Sequence, residues 1–220
     1  MEPIKVIEIK DNVLSENDKE ADKVRKLLKE KKVFLINLMS SPGSGKTTLL
    51  CNLIPELQKR GFKVGVLEAD IDGDCDAIKI SEVTGAKSIQ VHTMGACHLT
   101  AQMTYDALSN FDITDLDIVF LENVGNLVCP AEFDTGSDLN MMLLSIPEGD
   151  DKPLKYPLMF QVSKLVLVTK TDVRPVFNFS DDTFIERVHN LNKDSVIKFV
   201  SSKKHEGIAD VANYISSLIH

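Results

Sequence analysis

Val33 to Leu50 reads V-F-L-I-N-L-M-S-S-P-G-S-G-K-T-T-L-L. The run from Val33 to Met39, apolar but for one Asn, predicts a strand buried on both faces, and a Gly-rich loop follows it before helix-forming residues begin at Gly45. Strand, Gly-rich loop and helix in this order are the context a phosphate-binding loop needs; the competing account is a Gly/Ser-rich turn that happens to contain Lys. Backbone N–H groups around Pro42, Gly43, Ser44, Gly45 and Lys46 then turn inward to cradle β- and γ-phosphate oxygens at the positive end of the helix. Gly43 and Gly45 allow close approach. Lys46 reaches the phosphate oxygens as a point charge, and Thr47, followed by Thr48, offers a hydroxyl to Mg²⁺. The pattern G-x-x-x-x-G-K-[ST] departs at one position, where Ser40 stands for the first Gly.

Working outward, 220 residues suffice for one α/β domain with a substantial core. The net charge of −8, from 33 acidic and 25 basic residues without a Lys/Arg cluster, argues against nucleic acid or an anionic membrane as partner. No apolar run approaches the roughly 18 residues of a membrane span, and Met1-Glu2-Pro3 does not begin a signal peptide. The expected location is the cytoplasm. Cys51, Cys75, Cys97 and Cys129 form no C-x-x-C pair, so they are expected to be free thiols or metal ligands.

Residues 4–9 alternate enough for a short strand or extended arm. Ser15, with Asp18 three positions on, looks like a helix N-cap, and Ala21, Val24, Leu27 and Leu28 make one apolar stripe. Residues 1–30 therefore read as an arm and amphipathic helix packed on a nucleotide-binding domain of residues 31–220. A helix from Gly45 to Arg60 is bent by Pro55 and ended by Gly61. Strands at Val64–Leu67, Ser88–Val91 and Ile118–Glu122 alternate with helices at Asp74–Glu82 and Leu99–Asn110. The segment Val124 to Pro157 reads as loop with one short strand at Met141–Ser145. Beyond it come a strand at Leu165–Thr169, a helix at Asp181–Asn192, a strand at Val196–Val200 and a closing helix at Ile208–Ile219. This alternation predicts a three-layer α/β/α P-loop NTPase fold with a mostly parallel central sheet.

Loops at the carboxyl ends of parallel strands converge on one crevice. In A-D-I-D-G-D-C-D, Asp70, Asp72, Asp74 and Asp76 recur every second residue. Asp70, nearest the strand, is the candidate to hold the Mg²⁺ shell or orient an attacking water; the others either join it or cap the next helix. In D-I-V-F-L-E-N-V-G-N, Glu122 is placed to reach Mg²⁺ through water. Gly125 can bring its N–H to a γ-phosphate, as a switch does. In L-V-L-V-T-K-T-D, an acid such as Asp172 can accept two hydrogen bonds from guanine while the Lys170 stem lies along the base. Adenine lacks that donor pair; the competing account is a charged surface turn. Thr169 occupies a position where guanine-binding proteins usually carry Asn. F-V-S-S-K adds Ser202, whose N–H can meet guanine O6, and Lys203.

Cys97-His98 precedes a helix, and Cys129 follows Gly125 by four residues. A thiol near a helix N-terminus has a depressed pKa, and thiolate with imidazole suits Ni²⁺ or Zn²⁺. Three ligands leave a coordination position open, or a second subunit completes the site. Buried free cysteines are the competing account. Cys51 reads as core and Cys75 as a further soft ligand or a bystander. His92 could assist the site or be a surface histidine; His189, His205 and His220 read as ordinary.

S-S-P-G-S-G-K-T-T-L-L, G-A-C-H-L, F-L-E-N-V-G-N-L-V-C-P-A-E-F-D and E-G-D-D-K-P together resemble the HypB family of hydrogenase maturation GTPases. The Cys-His pair and the Cys-Pro after E-N-V-G-N separate it from the related urease accessory family UreG. The resemblance spans residues 33–220. It implies a SIMIBI-class GTPase that dimerises on GTP and carries Ni²⁺ at Cys97, His98 and Cys129 at the dimer interface. It also implies partnership with a HypA-like zinc accessory protein and delivery of nickel to the hydrogenase large subunit. The N-terminus has neither the Cys-rich nor the His-rich nickel tract of some members. The expectation is a Mg²⁺-dependent GTP-hydrolysing nickel metallochaperone with Lys46, Asp70, Glu122 and Gly125 at the catalytic centre. The alternatives are a P-loop kinase acting on a small metabolite and a nucleotide-gated metal-binding scaffold.

Overall fold

The structure is a computed structural model and describes residues 9–70 and 75–219; for 9–12, 70 and 75 only the backbone is described. In chain order the elements are α1 (Ile9–Lys31), β1 (Phe34–Ser40), α2 (Lys46–Lys59), β2 (Val64–Asp70), α3 (Cys75–Thr84), β3 (Lys87–His92), α4 (Ala101–Asn110) and β4 (Ile118–Glu122). There follow α5 (Cys129–Glu132), β5 (Leu139–Ser145), α6 (Lys152–Lys155), α7 (Pro157–Val162), β6 (Leu165–Thr169), α8 (Asp181–Leu191), β7 (Val196–Phe199) and α9 (Ile208–Ser216). Short 3-10 turns at Ile146–Glu148 and Thr171–Val176 follow β5 and β6. The sheet has seven strands in the order β3-β2-β4-β1-β5-β6-β7, and every pairing between them is parallel.

That order puts β1 near the middle, so its carboxyl end and those of β2, β4, β5 and β6 open onto one edge. β1 is apolar because both faces are covered. Ile36 and Leu38 meet Leu49, Leu50 and Leu53 of α2, while Leu35 packs with Val24 and Leu28 of α1 and with Leu108 of α4. A third cluster, around Met142, Leu144, Phe160 and Phe184, fills the other side of β5 and β6. The lone Asn of β1 is satisfied within the sheet. Asn37 Nδ2 donates to Asn140 Oδ1 on β5 at 3.0 Å, and Asn37 Oδ1 accepts from Asn123 Nδ2 after β4 at 3.1 Å.

Three expectations are corrected. Ser15 is not an N-cap but lies inside α1, which starts earlier at Ile9. The span from Val124 to Pro157 has more order than expected: the short strand is there as β5, two residues longer at its start, and the short helices α5 and α6 stand where loop was expected. Strand β5 is buried between β1 and β6; its L-N-M-M-L-L-S sequence lacks the β-branched residues that mark a strand. Thr100 caps α4 through Met103 N–H, so that helix begins after Leu99. The strand expected over residues 4–9 lies outside the described residues except for Ile9, which opens α1. Pro55 sits inside α2, which continues through it to Lys59. Among the described residues, no helix is long and apolar enough to cross a membrane.

Candidate functional site

The Gly-rich loop has the backbone that its sequence requires. Gly43 and Gly45 take φ +73° and +103°, the left-handed region that side-chain-bearing residues avoid, with open space beside each Cα. Ser40, where the pattern expects Gly, is buried, and its hydroxyl donates to Ser41 O at 2.7 Å while accepting from Lys46 Nζ at 3.3 Å. The departure is thus accommodated. Thr48 is exposed one turn into α2.

The loop is held from the β5 and β6 side by three neighbours. Thr169 Oγ1 donates to Ser44 O at 2.7 Å, and Lys170 Nζ donates to Gly43 O at 2.7 Å. The third neighbour is Glu148. Its Oε2 accepts from Ser44 Oγ at 2.8 Å, Ser145 N at 2.7 Å and Ser145 Oγ at 2.8 Å. The sequence alone assigns Glu148 no role, although E-G-D-D-K-P begins with it. Lys170 is held at φ +58°, turning Asp172 toward the last strand's loop. There Ser201 Oγ donates to Asp172 Oδ1 at 2.8 Å and holds that carboxyl below the usual carboxylate range. Ser202 is half-buried beside it and Lys203 exposed.

On the phosphate side, a cavity of about 290 Å³ is lined by Pro42, Gly43, Lys46, Glu68, Asp76, Glu122 and Gly125, among others. Thr47 Oγ1 donates to Glu122 Oε1 at 3.4 Å. Oxygens of Glu68, Asp76 and Glu122 lie within 4.8 Å of one another. Glu68 and Glu122 sit side by side on β2 and β4. Glu122 is 2 % exposed, and its Oε2 is buried without a hydrogen-bond partner. Burial, reinforced by Glu68 and Asp76 and opposed by Lys46, lifts its pKa from 4.5 to about 8. A carboxyl left so underused beside a threonine hydroxyl fits a divalent cation of the Mg²⁺ type. Asp70 ends β2, and its side chain is outside the described set, as are Asp72 and Asp74. Among the described residues, the carboxylates brought to Glu122 are Asp76 and Glu68, the latter an ordinary strand residue in sequence. Register with Glu122 is the signal, and it needs the β2–β4 pairing to be known.

Gly125 lies against the phosphate loop. A Cβ there would stand 3.0 Å from Pro42 Cγ and 3.1 Å from Pro42 Cα and N. The same loop continues to Cys129, the first residue of α5. Donor atoms of Cys97, His98 and Cys129 come within 4.8 Å of one another, with Cys97 Sγ and His98 Nδ1 3.6 Å apart. Two asparagines hold this pairing. Asn123 Oδ1 accepts from Leu99 N at 3.3 Å, and Asn126 Nδ2 donates to Cys97 O at 3.4 Å. His98 stacks on Phe133 with centroids 3.9 Å apart, and burial lowers its pKa. The depressed pKa expected for the thiol is not found. Cys97 precedes α4 by a turn, and its hydrogen bond with Cys129, then burial, pushes it upward. His92 is exposed at the end of β3, apart from the cluster, and Cys51 packs against the α2 core. The Cys75 side chain and His220 lie outside the described residues.

A family model described as the CobW/HypB/UreG nucleotide-binding domain matches residues 34–198. The chain is 44% identical over 215 residues to a hydrogenase/urease maturation factor HypB of Helicobacter hepaticus, covering 96% of this chain and 87% of that protein. It is 40% identical over 213 residues to the hydrogenase maturation factor HypB of Escherichia coli, covering 97% and 73%. Among solved structures, HypB from Helicobacter pylori in complex with nickel superposes with a TM-score of 0.86 at 37% identity, covering 92% of this chain and 94% of that one.

Proposed function

The chain belongs to the CobW/HypB/UreG family of nucleotide-binding proteins, and on that premise we propose that it hydrolyses GTP and uses the cycle to bind and hand on nickel during hydrogenase maturation. One observation carries the reading. A single loop touches the phosphate cavity at Glu122, packs on Pro42 at Gly125 and ends in the soft-ligand cluster at Cys129.

In this reading Gly43 to Lys46 hold the β- and γ-phosphates by backbone N–H groups, and the Lys46 ammonium leaves Ser40 for the γ-phosphate. Mg²⁺, with Thr47 and Glu122 to hold it, would neutralise charge on the phosphate oxygens. Glu68, Asp76 and Asp70 are the carboxylates placed to orient water. Asp172 and Lys170 select guanine, with Ser202 and Lys203 closing that side. A kinase would have no use for such a guanine reader; a nucleotide-gated metal-binding scaffold would use the same link between Gly125 and Cys129, with hydrolysis serving only as a timer.

Nickel is the cargo, held by Cys97, His98 and Cys129. Exposed Met94 and Val128 flank these ligands, at 94 % and 50 % exposure, and suit a face that a second copy covers when GTP is bound. A HypA-like accessory protein and the hydrogenase large subunit are the donor or acceptor partners. Three relatives, one of them the Helicobacter hepaticus protein above, are named for urease as well as hydrogenase, so nickel-enzyme maturation is the broader form of the same reading. The test is a competition titration of Ni²⁺ with the GDP-loaded and non-hydrolysable-GTP-loaded protein. Unequal affinities are expected, and linkage demands an equal effect of nickel on nucleotide affinity. Equal nickel affinities in the two states refute the coupling.

A further inference from the structure

Asn17 belongs to α1, away from the nucleotide cavity, and is 7 % exposed. Both ends of its amide are used. Nδ2 donates to Asp134 O at 2.8 Å, and Oδ1 accepts from Ala101 N at 2.9 Å. These partners sit on two different segments, and each leads straight to the soft-ligand cluster. Ala101 opens α4 three residues after His98. Asp134 follows Phe133, the ring on which His98 stacks, and lies five residues beyond Cys129.

The first N–H groups of a helix have no acceptor within the helix. At α4 the Thr100 hydroxyl serves Met103 N–H, and Asn17 serves Ala101 N–H from another helix. An amide that donates in one direction and accepts in the other fixes the separation of its two partners. Here those partners are the arm bearing Cys97 and His98 and the arm bearing Cys129. The rest of α1 presses on the same place. Arg25 pairs with Asp134, and Gly136 lies so close beneath α1 that a Cβ would stand 2.6 Å from Val24 Cβ and 2.7 Å from Ala21 O. Metal ligands owe their orientation to hydrogen bonds one step out, and those bonds set affinity.

We propose that Asn17 is a positioning residue for the Cys97–His98–Cys129 metal site, and that α1 is the splint holding its two arms at ligand distance. The inference rests on reading that cluster as the nickel site. Anything that moves α1 then acts on the metal.

The experiment compares the full-length protein with Asn17→Leu, which removes both hydrogen bonds, and Asn17→Asp, which keeps the acceptor for Ala101 N and loses the donor to Asp134 O. The metal-free readout is the rate at which dibromobimane bridges two thiols, with the bridge located at Cys97 and Cys129 by peptide mass. The second readout is Ni²⁺ affinity against a chromophoric chelator, with the thiolate-to-nickel absorption bands. The third is GTP hydrolysis, with the thermal midpoint. Asn17→Leu is expected to slow bridging, shift the absorption bands and weaken nickel binding by roughly 10–100-fold, with GTP hydrolysis unchanged; Asn17→Asp falls between. If Asn17→Leu lowers the thermal midpoint but keeps wild-type bridging, bands and affinity, Asn17 is only structural and the proposal is wrong. Should Asn17→Leu not fold, Asn17→Asp decides by the same criteria. If wild-type protein bridges its thiols readily yet takes up no nickel, the nickel reading fails, and the bridging rates of the variants still decide the splint.

Discussion

Glu122→Gln is the sharpest perturbation of the phosphate side. The Glu122 carboxyl is buried beside Glu68 and Asp76, and its pKa rises from 4.5 to about 8. A folded-state pKa above the unfolded value means that the folded protein holds the proton more tightly. Stability from this group is therefore complete below about pH 4.5 and is lost as pH rises through about 8. Each pH unit between those values counts about 1.4 kcal/mol, so the loss is roughly 5 kcal/mol in all and roughly 3 kcal/mol at pH 7. Gln keeps the shape and removes the titrating proton. The assay is urea unfolding of nucleotide-free, metal-free protein from pH 6 to 9, wild type against variant. The stability difference between them should grow by about 3 kcal/mol over that range in favour of the variant. Added Mg²⁺ and nucleotide should restore wild type more than the variant, because only the carboxylate gains a cation. A stability difference that does not change with pH shows that Glu122 is ionised without penalty and refutes the reasoning.

Four further outcomes follow from the geometry. Gly125→Ala places a Cβ about 3 Å from Pro42 backbone atoms, so the phosphate loop or the switch loop must yield; nickel affinity measured with GDP and with a GTP analogue should become equal. Cys129→Ser removes a soft ligand and no phosphate contact, and should abolish nickel binding in a chelator competition while GTP hydrolysis persists. Asp172→Asn loses the acceptor pair for guanine, weakening GTP by about 1–3 kcal/mol in a fluorescent-nucleotide titration; xanthosine triphosphate, with an oxygen where guanine has its 2-amino group, should be favoured instead. Asn37→Leu leaves the buried Asn123 Nδ2 without its acceptor and takes from Asn140 Oδ1 one of its two donors, the other being Ser137 Oγ, and denaturant unfolding should show about 1–3 kcal/mol lost.

What the sequence alone determined is local chemistry with a fixed chain spacing. The phosphate loop was legible because Gly43 and Gly45 need a backbone that other residues avoid, and that need is written in the residue type. The same holds for Lys170 and Asp172 at the end of an unmistakable apolar strand, and for the alternation of strand and helix that makes a parallel sheet. Cys97, His98 and Cys129 were legible as soft donors, and the fold brought them together. Strand β5 was not legible in full, because a strand covered on both faces carries no alternation and its Met and Leu residues suit a helix equally.

Only the tertiary structure decided the partnerships that depend on register and crossing. Glu68 looks like an ordinary strand residue until β2 pairs with β4 and sets it beside Glu122. Asn37 is an anomaly in an apolar strand until Asn123 and Asn140 arrive from either side. Glu148 becomes a clamp on Ser44 across more than a hundred residues of chain, and Asn17 reaches Ala101 and Asp134 across similar separations. Residue type states what a side chain can bond. A hydrogen bond acts over about 3 Å, and which groups come within that reach is fixed when the chain folds.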